Sequence, residues 1–243
     1  MEPSQWLASR VREHHGIQVG GGREWVREAV FGTQDGLIST VGALTGIAAG
    51  THNAQAVVVA GFVIIVVESL SMAAGSYLSS KSQHEYLQRL LKEEEEEIAR
   101  DPEGERQELE EMYRARGFTE SELPIVVNRI MSNPKLLLED MAHKELGIIP
   151  AAEEQPLRNA FVMGTAYVCG GLVPVLPYLL LPLAQAMPVS MVAAFGTLFI
   201  FGSLKGRLVR TSWWRSGLEM VAVAGTAALA GFIIGRVVDR WIV

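Results

Sequence analysis

The stretch that decides the fold is Ala29-Val-Phe-Gly-Thr-Gln-Asp-Gly-Leu-Ile-Ser-Thr-Val-Gly-Ala-Leu-Thr-Gly-Ile-Ala-Ala-Gly50, which is apolar or small apart from Gln34 and Asp35. As a helix, its residues rise about 33 Å, enough to cross the core of a bilayer. An ionisable group inside such a segment is costly unless it faces a polar path or a partner. The segment therefore predicts a membrane helix in which Asp35 has a purpose; the alternative is an Asp at the helix entrance that reaches back to headgroup water.

The composition separates a membrane part from an acidic part. The chain has 243 residues, of which 49% are hydrophobic. Residues 81–155 hold 10 Lys and Arg against 19 Asp and Glu, a net charge of −9, whereas the rest carries +3. Cys169 is the single cysteine, which excludes an intrachain disulfide. Residues 1–28 hold four Arg and two His residues but no apolar core, so we expect a cytoplasmic leader and no cleaved signal peptide.

Five segments have the length and polarity of membrane spans. They are residues 29–50, 54–79, 157–181 (interrupted by Pro174 and Pro177), 184–204 and 216–238. Lys and Arg are absent from the links 51–53 and 182–183, but they are frequent in the leader, the insert and the link 205–215. The positive-inside rule then predicts that the N-terminus, the insert and link 205–215 are cytoplasmic and that the C-terminus lies outside. Trp213, Trp214 and Trp241 fall at span ends, as an aromatic belt would.

The insert, residues 81–155, is predicted to be helical throughout. Nothing between the second span and Arg100 breaks a helix. Asp101-Pro102 predicts an N-cap and a first-turn proline for the next helix, which ends near Gly117. A capping box at Thr119–Glu122 predicts a third helix. Asn133-Pro134 predicts a fourth, which Gly147 closes.

The second span places a carboxylate and a thioether one turn apart. Glu68 and Met72 stand at i and i+4 on one helix face. Oxygen and sulfur donors together suit a borderline transition metal such as Fe²⁺ better than Ca²⁺ or Mg²⁺. The first span carries a stripe of small residues near Asp35, formed by Gly32, Gly36, Ser39, Ala43, Gly46 and Gly50. That stripe indicates either a helix seam beside a pore or plain helix packing.

Three helices of the insert present pairs of possible metal ligands. Glu93 to Glu97 cover more than one helical turn, so most of them form a solvated surface. The convergent donors are Glu94 with Glu97, Glu105 with Glu108, and Met141 with Glu145. Together they could build a carboxylate-rich metal site; the alternative is an ordinary acidic helix surface.

Other chemistries find no support in the sequence. It contains no Gly-rich phosphate loop, no His-Glu-x-x-His pair and no Ser/His/Asp set. We therefore expect no enzyme and no prosthetic group. The acidic insert argues against a nucleic-acid partner.

The chain from about Arg27 resembles the vacuolar iron transporter (VIT) family. The motifs are Arg27-Glu-Ala-Val-Phe-Gly-Thr-Gln-Asp-Gly-Leu-Ile-Ser-Thr40, Ser71-Met-Ala-Ala-Gly75 and Leu137-Leu-Glu-Asp-Met-Ala-His-Lys-Glu-Leu-Gly147. The resemblance implies a homodimer with five spans per subunit, a path between the subunits, and Fe²⁺ exported from the cytoplasm in exchange for protons. By motif position, Asp35 and Met72 match pore residues of the family.

The resemblance also assigns the metal ligands of the insert. The matching positions are Glu94, Glu97, Glu105, Glu108, Met141 and Glu145. The chain departs from the family pattern at Gln34, where an Asn is usual, and at Ser76, where a Glu is frequent. Glu68 has no clear counterpart and could compensate for the carboxylate missing at Ser76.

The sequence therefore predicts an all-α membrane protein with five transmembrane helices and a cytoplasmic helical metal-binding domain between the second and the third. Its parts are a leader (1–28), spans one and two (29–80), the metal-binding domain (81–155) and spans three to five (156–243). Its predicted function is transport of Fe²⁺, or secondly Mn²⁺, past Glu68, Met72 and Asp35; the insert would also accept Zn²⁺. The alternative is a membrane-bound metal sensor or scaffold. We expect a prokaryotic plasma membrane, with lipid, metal ions, protons and a second copy as partners.

Overall fold

The computed structural model describes residues 24–144, 155–208 and 210–242, and these residues form eight helices and no strand. The helices are α1 (Glu24–Thr51), α2 (Ala54–Arg100), α3 (Pro102–Ala115), α4 (Leu123–Met131), α5 (Pro134–Lys144), α6 (Pro156–Leu180), α7 (Leu183–Leu208) and α8 (Trp213–Ile242). The all-helical prediction is confirmed for this part of the chain.

The described residues divide into two compact units. One contains residues 25–78 and 156–242 and is called the membrane unit below; the other contains residues 79–144 and is called the insert unit. Helix α2 continues without a break to Arg100, as the sequence predicted.

Helix α1 lies at the centre of the membrane unit. Leu44 and Ala48 join a buried cluster with residues of α2, α6 and α7. On a neighbouring face, Leu37 and Val41 join a second cluster with residues of α7 and α8. Because α1 is surrounded by the other four helices of the unit, its sequence does not have to be apolar on every face.

The small residues of α1 let two other helices approach closely. At Gly36, a Cβ atom would overlap the carbonyl oxygen of Tyr167 in α6. At Gly46, a Cβ would lie 2.6 Å from the carbonyl oxygen of Gly231 in α8. Such backbone contacts are the packing for which small residues are selected in membrane helices. The structure thus supports the helix-packing interpretation of the glycine stripe.

The third predicted span is not interrupted by its prolines. Pro174 and Pro177 both lie inside α6. The hydroxyl of Ser190, in α7, donates a hydrogen bond to the carbonyl oxygen of Pro174 at 2.7 Å. Both prolines are buried, and prolines are tolerated in membrane helices where neighbouring helices pack around them. The expected break was therefore wrong.

Four of the described helices are long and apolar enough to cross a membrane: α2, α6, α7 and α8. Helix α1 has 28 residues, but Gln34, Asp35 and its many Gly, Ser and Thr residues lower its mean hydropathy. The chain is thus an integral, multi-pass membrane protein by length and composition, and the fifth span stays a prediction.

Two of the three predicted caps of the insert unit form, and the capping box at Thr119–Glu122 forms only in part. Asp101 accepts a hydrogen bond from the Gly104 amide at 3.0 Å, and Asn133 accepts from the amides of Lys135 and Leu136. At the third start, Glu122 binds both the amide and the hydroxyl of Thr119. The Thr119 hydroxyl is then engaged by the carboxylate and does not cap the helix, so α4 begins only at Leu123. Gly147 lies outside the described residues.

Candidate metal path and metal-binding helices

The membrane unit brings the carboxylates of its first two helices close together. Asp35 of α1 is half-buried and lies within electrostatic range of Glu68 of α2. The phenol of Tyr167, in α6, is fully buried and near both acids. Ser39 lies one turn beyond Asp35, and its hydroxyl oxygen is 2.5 Å from the Tyr167 hydroxyl. Two carboxylates and two hydroxyls from three helices thus lie in the same region of the unit.

Glu68 and Met72 occupy a face of α2 that this chain leaves partly uncovered. Glu68 is exposed and Met72 is half-buried. Val63, Val67 and Leu70 on the same helix are also more than half exposed. A carboxylate facing lipid would be unfavourable by several kcal/mol, so the predicted path residues have one side that the single chain does not cover.

A further carboxylate, which the sequence analysis missed, lies at the start of α1. Glu28 is 5% exposed. Its carboxylate accepts a hydrogen bond from the Ser76 hydroxyl of α2 at 3.0 Å and forms an ion pair with Arg27 at 3.0 Å. Glu28 precedes Asp35 by seven residues, so the two project from the same face of α1. The seven-residue spacing was the sequence signal that could have identified Glu28. Ser76 was expected to mark the loss of a carboxylate, but its hydroxyl binds the carboxylate of Glu28 from the neighbouring helix.

Burial separates the acids of the insert unit into two groups. Glu94 is 2% exposed and Glu105 is 8% exposed, whereas Glu95 is on the surface. One carboxylate oxygen in each of Glu94, Glu105 and Glu108 is inaccessible to solvent. On the outer face, Glu93 pairs with Arg89 at 3.3 Å and Glu96 with Lys92 at 3.8 Å. These i, i+4 pairs are the solvated surface that the sequence predicted.

The predicted ligand pairs of α2 and α3 lie next to one shared apolar cluster. Ile98 of α2 and Leu109 of α3 pack in the cluster that contains Met141 of α5, which is fully buried. Glu94 and Glu97 precede Ile98 by four residues and one residue, and Glu105 and Glu108 stand in the same relation to Leu109. Glu94, Glu105 and Met141 therefore lie beside a common apolar core.

A polar network fixes α5 against α3. The Tyr113 hydroxyl donates to Asp140 at 3.2 Å, and the ammonium of Lys144 binds Asp140 and lies 3.5 Å from the centre of the Tyr113 ring. Burial, followed by the charge and hydrogen bond of Asp140, raises the pKa of Tyr113 to about 12. Burial lowers the pKa of Lys144, and its contacts with Asp140 oppose that shift. The network includes Asp140, the residue directly before Met141.

The insert unit does not display a completed ligand set. Among the residues that the structure describes, no group of three or more His, Cys, Asp and Glu side chains is arranged to hold a metal ion. Met141 is of a different ligand type, and Glu145 lies outside the described residues. The six-residue metal site therefore stays a prediction, supported by the burial of Glu94 and Glu105 and by the position of Met141.

Comparison with known proteins identifies the family. The model of the VIT family matches residues 26–236. Vacuolar iron transporter 1 of Arabidopsis thaliana is 34% identical over 229 residues, which cover 94% of this chain and 92% of that protein. Vacuolar iron transporter 2 of Oryza sativa subsp. japonica is 33% identical over 217 residues, 89% of this chain and 88% of that protein. Protein CCC1 of Saccharomyces cerevisiae is 27% identical over 216 residues, 85% of this chain and 67% of that protein.

These relatives are plant and yeast proteins, and the plant proteins are named as vacuolar. They give no support to the expected prokaryotic plasma membrane. They do agree with the family resemblance that the motifs at Arg27–Thr40 and Ser71–Gly75 carry. The chain belongs to the VIT family, a family of transporters and not of enzymes.

Proposed function

We propose that this protein carries Fe²⁺, and secondly Mn²⁺, out of the cytoplasm through the membrane unit. The observation that carries the proposal is the approach of Asp35 and Glu68 from adjacent helices, with the Tyr167 phenol near both. Two carboxylates near each other in a membrane-spanning unit are costly without a cation or proton between them. The named relatives, which are iron transporters, support a metal ion as the substrate.

The path would begin at Glu28 and continue two helical turns to Asp35. Glu28 is held by Ser76, so the α1 and α2 faces that bear these acids are in contact. Met72 lies one turn from both Ser76 and Glu68 on α2. The cation would thus meet an oxygen-rich entrance, a thioether, and then the Asp35–Glu68 pair. A sulfur donor in this order favours Fe²⁺ over harder ions of equal charge.

Proton exchange follows from the chemistry of the same pair. A carboxylate that binds a metal ion must lose its proton, and one that releases the ion inside the membrane is more stable protonated. Asp35 and Glu68 would therefore alternate between metal-bound and protonated forms. Metal leaving the cytoplasm would be exchanged for protons moving in.

The insert unit would collect the ion. We assign Glu94, Glu97, Glu105, Glu108, Met141 and Glu145 as its ligands, with Zn²⁺ as a usable probe because it accepts carboxylate oxygen and imposes no geometry of its own. Electrostatic attraction by a net charge of −9 in residues 81–155 would raise the local cation concentration.

A second copy of the chain would complete the path. Glu68 is exposed on α2, and Val63, Val67 and Leu70 form an adjoining exposed face of the same helix. Placing two such faces together would remove Glu68 from lipid and bring two sets of path carboxylates to one axis. A cysteine at Val67, in a Cys169→Ser background, should form an intersubunit crosslink in native membranes. A cysteine at Val223 of α8 serves as the control that should not.

For topology we propose five spans, with α1 as the first and the C-terminus opposite the insert. Helix α1 is enclosed by the four apolar helices, which supports its position in the bilayer. A cysteine placed at Trp241 should be labelled from the side opposite a cysteine placed at Glu95. Labelling of both from one side would contradict this arrangement.

Uptake of Fe²⁺ by liposomes that contain the purified protein tests the function itself. Metal entry above that of protein-free liposomes is expected, with Fe²⁺ faster than Mn²⁺. A sensor or scaffold would bind metal without moving it; the relatives do not favour that alternative.

A further inference from the structure

The membrane unit contains a second polar site, far from the Asp35–Glu68 pair in sequence. A cavity of about 440 Å³ lies where α7 ends and α8 begins. Its volume is in the range of small-molecule sites, roughly 300–1,000 Å³. The lining residues are Lys205, Thr211, Ser212, Arg215, Ser216 and Glu219.

Backbone geometry explains why these side chains meet. The amide of Thr211 donates to the carbonyl oxygen of Gly206 at 2.8 Å, which turns the chain at the end of α7. Gly206 then packs against α8, where a Cβ would lie 2.9 Å from the Cβ of Ser216. This close crossing sets the last turn of α7, with Lys205, against the first two turns of α8, with Arg215 and Glu219.

The site offers cations, hydroxyls and a helix N-terminus to the same volume. Lys205 and Arg215 supply two positive charges, and Thr211, Ser212 and Ser216 supply hydroxyl donors. The first amides of α8 have no acceptor within their own helix and carry the positive end of its dipole. Positive charge with several donors is the arrangement that binds phosphate oxygens.

Two tryptophans place the cavity at the level of lipid headgroups. Trp213 and Trp214 are each about half exposed, at 47% and 46%. Arg207 lies 5.8 Å from the Trp213 ring centre and Arg215 lies 5.3 Å from that of Trp214. Exposed Trp beside Arg at the end of an apolar helix is typical of the membrane–water interface. The phosphate nearest to such a cavity is that of a phospholipid.

We propose that this cavity binds the phosphodiester headgroup of an anionic phospholipid, such as phosphatidylglycerol or phosphatidylinositol. Lys205 and Arg215 contact the phosphate, and the hydroxyls bind its remaining oxygens. Glu219 limits the negative charge that the site accepts, because a second anion repels it. The site therefore takes a diester with one negative charge in preference to a monoester with nearly two.

Lipid retention measured by native mass spectrometry of the full-length protein tests the proposal. Dioleoyl phosphatidylglycerol, phosphatidylcholine and phosphatidic acid are added separately at equal concentration. Phosphatidylglycerol should be retained most. In the variant Lys205→Gln/Arg215→Gln its retention should fall about thirtyfold, since each of the two basic residues near an anionic lipid contributes about 1 kcal/mol. The matched control Arg236→Gln/Arg240→Gln, which removes equal charge from the other end of α8, should retain it.

Two further measurements complete the test. One distinguishes a lipid phosphate from a soluble phosphate, and the other uses a variant that keeps both basic residues, so that its result does not depend on the folding of the double variant. Inorganic phosphate or glycerol 3-phosphate at millimolar concentration should not displace the lipid; displacement would make a soluble anion the ligand and overturn the proposal. The variant Glu219→Gln keeps every cation and should erase the preference for phosphatidylglycerol over phosphatidic acid. Equal loss of lipid in the two double variants, or a preference for phosphatidic acid in the unmodified protein, would also overturn it.

Discussion

The membrane unit and the insert unit use acidic side chains in opposite ways. In the insert unit, acids are abundant and burial selects among them: Glu94 is enclosed whereas its neighbour Glu95 is solvated. In the membrane unit, acids are scarce, and Glu28, Asp35 and Glu68 each lie against another polar group. The number of acidic residues in a water-exposed domain therefore gives little information about function. A single carboxylate between membrane helices gives more, because placing it there is energetically costly.

This contrast predicts that removing one charge in the membrane unit has the largest effect. Asp35→Asn keeps nearly the same volume, so α1 should still pack against α6 and α8. A neutral amide cannot alternate between a protonated and a metal-bound state, so Fe²⁺ flux in liposomes should fall at least tenfold, equivalent to about 1.4 kcal/mol in the barrier. Asp239→Asn, at the far end of α8, is the matched control and should transport normally. Normal flux through Asp35→Asn would remove Asp35 from the path.

In the insert unit, the effect of removing an acidic side chain on metal affinity should depend on whether that side chain is buried, and not on its charge alone. Glu94→Gln should weaken Zn²⁺ binding to the detergent-solubilised protein about tenfold, or about 1.4 kcal/mol, because a ligand is lost. Glu95→Gln removes the same charge one residue away and should change the affinity little, since it loses only screened attraction. Titration calorimetry measures both. Equal losses would mean a diffuse charge effect and would contradict a defined site.

Removing the sulfur donor of Met72 should change the selectivity between Fe²⁺ and Mn²⁺ more than the overall transport rate. Met72→Leu keeps apolar bulk and removes the sulfur, so Fe²⁺ flux should fall about threefold more than Mn²⁺ flux. The measurement is the ratio of the two fluxes in the same liposome preparation. An unchanged ratio would show that Met72 serves packing alone.

The smallest effect is expected at the path entrance. Ser76→Ala removes one hydrogen bond to Glu28 but leaves its ion pair with Arg27. A hydrogen bond to a charged group contributes roughly 1.5–3 kcal/mol, but Arg27 compensates part of the loss. We expect a higher KM for Fe²⁺ by about threefold with an unchanged maximal rate. Ser79→Ala, on an exposed part of α2, is the control, and a fall in the maximal rate would contradict an entrance role.

Local signals in the sequence predicted the helices well. The continuation of α2 to Arg100 and the caps at Asp101 and Asn133 follow from backbone preferences that need no tertiary contact. The two errors have separate causes, one in the packing of the membrane unit and one in a local side-chain contact. Helix α6 continues through Pro174 and Pro177, which are both buried inside the membrane unit. At Thr119, the carboxylate of Glu122 captures the hydroxyl that a capping box requires.

The candidate site was predicted only in part, for a related reason. Asp35 and Glu68 stand out because they interrupt apolar sequence. Glu28 does not, because it lies near the charged start of α1, and its importance depends on Ser76 from another helix. Four other helices enclose α1, and this enclosure permits its low mean hydropathy. The enclosure is a property of the folded structure and cannot be read from the sequence of α1 alone.

The most direct test of the account follows metal and protons in one experiment. Liposomes containing the protein and a pH-sensitive dye receive Fe²⁺ outside, with an acidic interior to drive exchange. We predict that Fe²⁺ enters as the interior becomes more alkaline, that a protonophore which collapses the gradient slows Fe²⁺ entry, and that Asp35→Asn abolishes both signals. Fe²⁺ entry that is indifferent to the pH gradient, or no Fe²⁺ entry at all, would contradict the claim that the Asp35–Glu68 pair carries metal and proton in turn.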